Sequence, residues 1–411
     1  MVKHDKGASR REFLKALGLA GAAGALTPAG LLGPGVREAQ AAVPAVAVPR
    51  RPFGRSGREV SSLALGGMFD VVNGQLLLAQ ALKLGVDYWD TANSYSGGHS
   101  EEGFGRFFSR QPASRERVFL VTKSTNRDPQ GLEAHLKLSL ERLKTGYIDL
   151  FFVHGIKSTD ELTDESLDWG KKAKDSGRIR LFGFSTHQNM ADCLASAAKL
   201  NGIDGIMFTY NYRVMQDPAL KDAVEACHAK GIGLTAMKTQ AAGPARVIGE
   251  GDGTMELAER FLSQGYTPEQ ARLKAVWSDP RIAAVCSQMP SLNLLLANAA
   301  AAMDRKELKP QDLAWLADHA RLTGAAYCAG CAGICERAMN GVVPVADVMR
   351  SLMYARAYGE PTWGRELLAE VLPQGGRELV EADFAPAQAA CPQGLAIASL
   401  MRQAATEFGL G

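Results

Sequence analysis

The feature that most constrains the fold is an eightfold alternation of apolar and amphipathic segments through the middle of the chain. Short apolar stretches fit buried strands, and the segments between them have apolar residues three and four positions apart, which is typical of a helix packed on one face. The predicted strands are 62–68, 86–92, 117–124, 147–155, 179–186, 204–211, 231–238 and 282–289. Strand and helix alternating in this way predict an α/β fold, a (β/α)8 TIM barrel with its parallel sheet closed on itself.

A short polar segment comes before the first predicted strand. Residues 52–60 read PFGRSGREV, and the run RSGR at 55–58 has the composition of a tight turn. We therefore expect a small hairpin that plugs the floor of the barrel.

Four titratable side chains stand where three successive predicted strands end. Asp90 closes the strand 86–92, Tyr95 follows in the next loop, and Lys123 and His154 close the next two strands. In a (β/α)8 barrel the loops after the carboxyl ends of the strands carry the chemistry. These four side chains are therefore expected to meet at one mouth of the barrel.

This arrangement resembles the aldo/keto reductase family over residues 50–305. The most specific part of the resemblance is DTANSY at 90–95 with the pair SE at 100–101, and Ser96 is an extra residue where the family commonly has a glycine. The resemblance implies an oxidoreductase that interconverts a carbonyl and an alcohol by hydride transfer, with NADP or NAD as cofactor and a small molecule as substrate.

The resemblance also implies that Asp90, Tyr95, Lys123 and His154 act together in catalysis. Hydride transfer leaves an alkoxide that must be protonated, and a phenol with a pKa near ~10 is a weak acid unless its anion is stabilised. Tyr95 would donate the proton, Lys123 would favour the ionised phenol, Asp90 would hold Lys123, and His154 would hydrogen-bond the substrate oxygen. The competing interpretation is an ordinary ion pair of Asp90 and Lys123 inside the barrel.

By position, the resemblance implies a cofactor site across the barrel mouth. Its residues would be Ser185, Asn211, Lys238 and Asn298, with Tyr210 as a stacking surface. The chain has no Lys or Arg between Arg281 and Arg305 to bind the 2′-phosphate of NADP, so the choice between NADP and NAD stays open. No G-x-G-x-x-G run joins a strand to a helix, and a Rossmann-type site is therefore not indicated.

Residues 1–41 predict a twin-arginine signal peptide. The run SRREFLK at 9–15 precedes a modestly apolar stretch that reaches residue 35, and AQA at 39–41 offers a small-residue cleavage site. Two prolines and many small residues disfavour the alternative of a membrane anchor, which needs ~20 strongly apolar residues. We expect export to the periplasm by the twin-arginine translocation machinery, with the signal either removed or retained.

Residues 306–411 predict a helical extension that carries a group of cysteines. Cys328, Cys331 and Cys335 are spaced C-x2-C-x3-C, and Cys391 is followed by a proline after a helical spacer. The region resembles the ferredoxin-like extension of a subset of aldo/keto reductases, which implies that these four thiolates hold a 4Fe-4S cluster. A zinc site and disulfide bonds in an oxidising compartment are the alternatives.

The remaining cysteines and two histidines carry no such pattern. Cys193, Cys227 and Cys286 lie in helix or strand patterns and are expected to pack in the core, while His187 and His228 are expected at the surface or at caps.

The charge balance limits the classes of partner. With 46 basic and 44 acidic residues, the net charge of +2 gives no indication of a nucleic-acid partner. Besides an enzyme, the sequence is compatible with a barrel that has lost turnover and serves as an exported electron carrier or as the partner of a redox protein. The complete tetrad favours the enzyme, and the missing base for the 2′-phosphate favours the alternative.

Overall fold

Eight parallel strands close into a barrel in the computed structural model, which describes residues 47–244 and 254–410. The strands are β1 Arg50–Pro52, β2 Glu59–Ser61, β3 Leu63–Gly66, β4 Tyr88–Asp90, β5 Phe119–Ser124, β6 Ile148–Val153, β7 Ile179–Thr186, β8 Gly205–Thr209, β9 Gly233–Met237 and β10 Ala284–Gln288. Strands β3 to β10 are neighbours in chain order, and β10 pairs with both β9 and β3. All eight predicted barrel strands, and with them the (β/α)8 fold, are confirmed.

The antiparallel pair β1 and β2 closes the floor of the barrel, as predicted. Phe53, in the turn between them, is fully buried, and its ring centroid lies 6.3 Å from that of Tyr88 and 5.2 Å from that of Phe119. The backbones of Gly205 and Gly233 approach the same ring, and a Cβ atom at Gly233 would lie 2.4 Å from it. Glycine at these positions is what makes room for the plug.

Nine helices cover the outside of the barrel in the described ranges. They are α1 Gln75–Lys83, α2 His99–Arg110, α3 Pro129–Arg142, α4 Asp164–Asp175, α5 Met190–Ala197, α6 Pro218–Lys230, α7 Thr254–Ser263, α8 Pro268–Trp277 and α9 Leu292–Met303. Asp128 and Asp217 cap α3 and α6 by accepting a backbone N–H, and each is followed by proline at the first helical position. Between strands and helices lies the main apolar core, where Trp89 stacks on Phe104 at 5.3 Å.

Seven further helices follow the barrel. They are α10 Pro310–Leu322, α11 Ala332–Ala338, α12 Val345–Ala357, α13 Pro361–Val371, α14 Glu378–Glu381, α15 Ala385–Ala390 and α16 Ile397–Phe408. Leu316 of α10 and Tyr327 pack into the outer core of the barrel. A second apolar core is formed by buried residues from Cys335 to Phe408, with Cys328 packed against it.

The helix α12 joins the extension to the barrel. Its Asp347 is 1% exposed and accepts hydrogen bonds from Lys157 at 2.6 Å and from Gln188 at 2.7 Å, both in loops after barrel strands. Because these loops follow the carboxyl ends of β6 and β7, α12 lies over the mouth of the barrel.

Two observations concern the membrane and the N-terminus. None of the helices in the described ranges is long and apolar enough to cross a bilayer. The predicted signal peptide, residues 1–41, lies outside the described residues.

Candidate active site

A cavity of about 800 Å³ opens at the carboxyl ends of the barrel strands. Its walls come from the loops after the strands and, on the far side, from α12, α13 and the segment between them. Three of the four predicted catalytic residues line it, namely Asp90, Tyr95 and His154. The predicted mouth is therefore a closed-in site that two parts of the chain build together.

Lys123 is buried beneath this cavity and is held by three oxygen atoms. It is 1% exposed, and its ammonium donates to the Asp90 carboxylate and to the carbonyl of Thr91, both at 2.7 Å. The Tyr95 hydroxyl lies 3.4 Å from the same nitrogen. Burial raises the pKa of Asp90 above its ordinary value, and the ammonium beside it opposes the rise. The lysine is thus fixed by Asp90 and directed at the phenol.

Tyr95 begins a one-turn 3₁₀ helix, Tyr95–Gly98, between β4 and α2. Ser96 has φ of 50° and Gly98 has φ of 102°, and such left-handed conformations turn the loop sharply. Burial, then the negative charge of Asp90, raises the pKa of Tyr95 well above 10. The phenol therefore keeps its proton at neutral pH.

His154 follows β6 and faces the phenol. Its backbone N–H donates to the carbonyl of Ser124 at 2.7 Å, and its ring lies edge-on to that of Tyr95 with centroids 5.7 Å apart. Burial, then the charges of Lys123 and Arg350, lowers the pKa of His154 well below 6.5. The imidazole is consequently neutral at physiological pH and can donate one N–H to an oxygen in the cavity.

The residues predicted for the cofactor lie along the opposite edge of the mouth. Lys238 lines the cavity directly. Ser185 accepts the backbone N–H of Gly155 at 3.0 Å, and Asn298 donates to the hydroxyl of Ser287 at 3.1 Å. Since Gly155 and Ser287 both line the cavity, Ser185 and Asn298 support its wall from behind.

Asn211 ties this edge to the extension. It is fully buried, and its amide donates to the carbonyl of Lys238 at 3.1 Å and to the hydroxyl of Tyr327 at 2.9 Å. Tyr327 immediately precedes the first clustered cysteine. Asn211 therefore fixes the backbone of Lys238 rather than lining the cavity itself.

Tyr210 does not offer the stacking surface that the sequence suggested. It is 1% exposed, its hydroxyl donates to Asp279 at 2.7 Å, and its ring lies 5.3 Å from that of Phe208 in the core. Successive side chains along a strand point to opposite faces. Tyr210 belongs to the face that meets the helices, away from the mouth.

Two residues of the cavity wall were expected elsewhere. His187, expected at the surface or as a cap, lines the cavity after β7, and burial lowers its pKa well below 6.5. Cys286, expected in the core, lines the cavity beside Asp90. The alternation of side chains along β10 would have predicted that Cys286 faces the barrel interior, because Ala284, two residues earlier, also faces it. The other assignments hold, because Cys193 and Cys227 are buried and His228 is exposed.

The extension adds residues that no local pattern indicated. Lys238 donates to the hydroxyl of Tyr354 at 3.2 Å and lies over the rings of Tyr354 and Tyr358 at 4.4 and 4.9 Å. Arg350, one turn before Tyr354 in α12, also lines the cavity. The site is therefore roofed by aromatic and cationic groups from the second part of the chain.

Three of the four clustered cysteines lie at the core of the extension. Cys335 is 8% exposed, and Cys328 and Cys391 pack against the same core. All four are free thiols, so the alternative of disulfide bonds is not what the structure shows. Burial, together with the other three cysteines, raises the pKa of Cys328 to about 12. Within the described ranges, no group of three or more His, Cys, Asp or Glu side chains is placed to hold a metal ion.

Comparison with known proteins agrees with this geometry. Residues 69–319 match the Aldo/keto reductase family, and the chain belongs to that family. An aldo-keto reductase of Bacillus halodurans has the same fold, with a TM-score of 0.55 and 22% identity, over 67% of this chain and 96% of that one.

Sequence relatives match over shorter stretches. The aldo-keto reductase yakc [NADP(+)] of Schizosaccharomyces pombe is 31% identical over 149 residues, which are 33% of this chain and 43% of that protein. The L-galactose dehydrogenase of Arabidopsis thaliana is 24% identical over 210 residues, 47% of this chain and 66% of that protein. The match thus spans less than half of the length of the yeast relative.

Proposed function

We propose that this protein is a nicotinamide-dependent oxidoreductase that interconverts a small carbonyl compound and its alcohol. The observation that carries the proposal is the placement of Lys123, held by Asp90, 3.4 Å from the Tyr95 hydroxyl at the cavity where His154 also lies. Reduction adds a hydride to the carbonyl carbon and a proton to its oxygen, and oxidation removes both. A reduced nicotinamide, when bound, supplies the hydride.

Side chains of this protein supply the proton and bind the substrate oxygen. Tyr95 keeps its proton at neutral pH because burial raises its pKa, so it is in the form that reduction requires. When the proton leaves, the phenolate gains the attraction of the Lys123 ammonium, which acts only once negative charge has developed. Neutral His154 donates an N–H to the substrate oxygen and orients it. Asp90 holds Lys123 for this task.

The residues present fit a nicotinamide cofactor, while the preference for NADP or NAD is a separate matter. The cavity extends from Tyr95 to Lys238 and Ser287, the edge predicted for the cofactor. Residues 282–304 contain no Lys or Arg for a 2′-phosphate, and Glu366 and Glu370 of α13 line the same cavity. The yeast relative is named for NADP(+), so both cofactors belong in the test.

Direct assay tests this function. Purified protein should oxidise NADPH or NADH in the presence of aliphatic and aromatic aldehydes, or reduce the oxidised cofactor with sugar alcohols and aldoses, a choice that the L-galactose dehydrogenase relative suggests. Stoichiometric alcohol formation, followed by chromatography, is the expected result. No cofactor-dependent turnover in either direction, with cofactor shown to bind, would contradict the proposal.

We also propose that Cys328, Cys331, Cys335 and Cys391 hold a 4Fe-4S cluster. A single metal ion needs its ligands at one point, whereas a four-iron cluster spreads four thiolates over four iron atoms. Cys328, Cys335 and Cys391 lie at one core and Cys331 is near enough to raise the pKa of Cys328, which supports the proposal. When bound, such a cluster supplies one-electron transfer. Bound iron would also offset the cost of ionising Cys328, whose thiol has a pKa of about 12 without it.

Export by the twin-arginine route to the periplasm completes the proposal. It rests on SRREFLK at 9–15 and on the apolar run that follows, in a part of the chain outside the described residues. This route carries folded proteins, which suits a protein that must be loaded with cofactors before export.

The second candidate function is an exported electron carrier or redox partner without turnover. The acidic wall of Glu366 and Glu370, together with the absence of a base in residues 282–304, favours it. A protein that gives the absorption of an iron–sulfur cluster and does not bind either nicotinamide nucleotide would support this function and remove the first.

A further inference from the structure

The helix α12 brings an incompletely paired guanidinium into the candidate active site. Arg350 lines the cavity together with Tyr95 and His154. One nitrogen, Nη2, donates to Asp347 at 2.8 Å, while Nε is buried and has no hydrogen-bond partner among the described residues. A guanidinium has five N–H donors in a planar fork. Asp347 is thus the one described residue shown to accept a hydrogen bond from Arg350, which leaves the guanidinium incompletely paired.

The only carboxylate that Arg350 contacts in the described ranges is already shared. Asp347 is 1% exposed and also accepts from Lys157 at 2.6 Å and from Gln188 at 2.7 Å. One negative charge therefore serves two cations, Arg350 and Lys157.

The cations in and beneath the cavity are incompletely paired with carboxylates. These cations are Lys123, Arg127, Lys157, Lys238 and Arg350, and the carboxylates paired with them are Asp90, Glu161 and Asp347. Lys238 forms no ion pair within the described residues and contacts only a phenol and aromatic rings. Both histidines, His154 and His187, are neutral because their pKa values are lowered. Among the described residues, Lys238 therefore has no carboxylate partner and Arg350 shares one with Lys157, although the cavity as a whole also contains Glu360, Glu366 and Glu370.

The other carboxylates of the cavity do not pair with these cations in the described part of the chain. They are Glu360, Glu366 and Glu370, which line the wall formed by α13 and the residue before it. An anion is therefore favoured at Arg350, beside Tyr95 and His154.

We propose that Arg350 binds a carboxylate of the substrate, so that the natural substrates are carbonyl compounds bearing a carboxylate, or the corresponding hydroxy acids. This inference rests on the proposed oxidoreductase function and names its substrate class. A carboxylate matches the planar fork of a guanidinium and accepts two of its N–H groups at once. It also gives Arg350 an anionic partner that is not shared with Lys157. The reacting carbonyl then lies between Arg350 and the pair Tyr95 and His154.

The phosphates of the cofactor are also anions, and Arg350 could bind one of them instead of a substrate carboxylate. Two matched substrates separate the two cases, namely 4-oxobutanoate, which carries a carboxylate, and its methyl ester, which does not. Wild type is expected to prefer the acid. Arg350→Gln should lower kcat/KM for the acid by about 10- to 100-fold, the range for a charge-assisted hydrogen bond, and leave that for the ester within about threefold.

Two further variants serve as controls. Arg350→Lys keeps the charge and loses the fork, so it should retain part of the preference for the acid. Arg365→Gln removes an exposed arginine of α13 that does not line the cavity and should behave as wild type. Equal losses on acid and ester, with a raised Kd for NADPH or NADH in Arg350→Gln, would assign Arg350 to the cofactor and overturn the proposal.

A binding measurement separates this inference from the function on which it rests. Calorimetric titration with succinate, which cannot be reduced by hydride, should show binding to wild type and to Arg365→Gln but not to Arg350→Gln. Turnover of the ester without Arg350-dependent binding of succinate would leave the oxidoreductase standing and remove the carboxylate site. Arg350-dependent binding of succinate without turnover of either substrate would leave the carboxylate site standing and remove the oxidoreductase function.

Discussion

The ammonium of Lys238, at the end of barrel strand β9, lies 3.2 Å from the hydroxyl of Tyr354 in helix α12 of the extension. Lys238 has φ of 57°, an unusual backbone conformation for a residue with a side chain. Burial alone would lower the pKa of Lys238, but Tyr354 and Tyr358 outweigh it and hold the pKa above its ordinary value. The extension and the barrel therefore form one site, and the charge of Lys238 is kept inside it.

The plug formed by β1, Phe53 and β2 at the floor of the barrel leads to a prediction about stability that does not depend on the proposed catalysis. Gly233→Ala should lower the free energy of unfolding by about 1–3 kcal/mol, since its Cβ would lie 2.4 Å from the Phe53 ring and the buried plug must shift. Urea denaturation measures the change. Gly146→Ala is the matched control, because no atom lies within 4 Å of the added methyl. Equal stabilities of the two variants would mean that Phe53 does not occupy the floor.

Stability should fall in mild acid because two half-buried histidines of the cavity wall, His154 and His187, stay neutral in the folded chain. The pKa of His187 is lowered well below 6.5, first by burial and then by Arg350 and Lys238. The unfolded chain takes up this proton near pH 6.5, so stability is lost as the pH drops below that value, by up to ~1.36 kcal/mol per pH unit per histidine.

The variant His187→Gln removes one of the two histidines that take up a proton on unfolding. The slope of the unfolding free energy against pH, measured with urea between pH 7 and 5, should become shallower by about one proton. His228→Gln, at an exposed position, should leave the slope as in wild type. A wild-type slope in His187→Gln would show that His187 titrates normally in the fold.

The sequence could predict the features that a pattern of neighbouring residues encodes, but not those that depend on packing between distant parts of the chain. Strand β7 agrees with its predicted bounds, and Asp90 and Lys123 were placed together because neighbouring parallel strands end at the same edge. Tyr210 was placed on the wrong face because the twofold alternation of a strand was not followed to its last residues. Arg350 and Tyr354 reach the site only through the packing of α12 on the barrel, which no pattern of neighbouring residues encodes.

The cluster proposal predicts that Cys391 is a ligand although it is remote in sequence from the other three cysteines. Cys391→Ala should remove or weaken the broad absorption near ~400 nm of anaerobically purified protein, and lower its iron content. Cys227→Ala, fully buried in the barrel core, should keep both. Cys286→Ala would be a poorer control, because Cys286 lines the cavity beside Asp90. A full signal in Cys391→Ala would place the fourth ligand elsewhere.

The export proposal predicts a dependence on the paired arginines. Arg10→Lys combined with Arg11→Lys keeps the charge but removes the pair that the translocation machinery reads. The variant should stay in the cytoplasm in cell fractionation, while wild type reaches the periplasm. Unchanged periplasmic recovery of the double variant would refute this route.

The central claim is that Tyr95 is the proton donor and that Lys123 acts through it. Tyr95→Phe keeps the ring and removes the proton, so kcat for carbonyl reduction should fall by about 10²–10⁴-fold with cofactor affinity nearly unchanged. Tyr147→Phe, a phenol between Arg115 and Arg180 outside the cavity, is the control and should keep full activity.

The most direct measurement is a double-mutant cycle of Tyr95→Phe and Lys123→Met, read as kcat for reduction of an aldehyde by saturating reduced cofactor. Because the ammonium lies 3.4 Å from the hydroxyl, the two residues should act as one unit. The double variant should then be little slower than either single variant. Multiplicative losses in the double variant, or full turnover in Tyr95→Phe, would contradict the account and remove Tyr95 and Lys123 as one proton-donating unit.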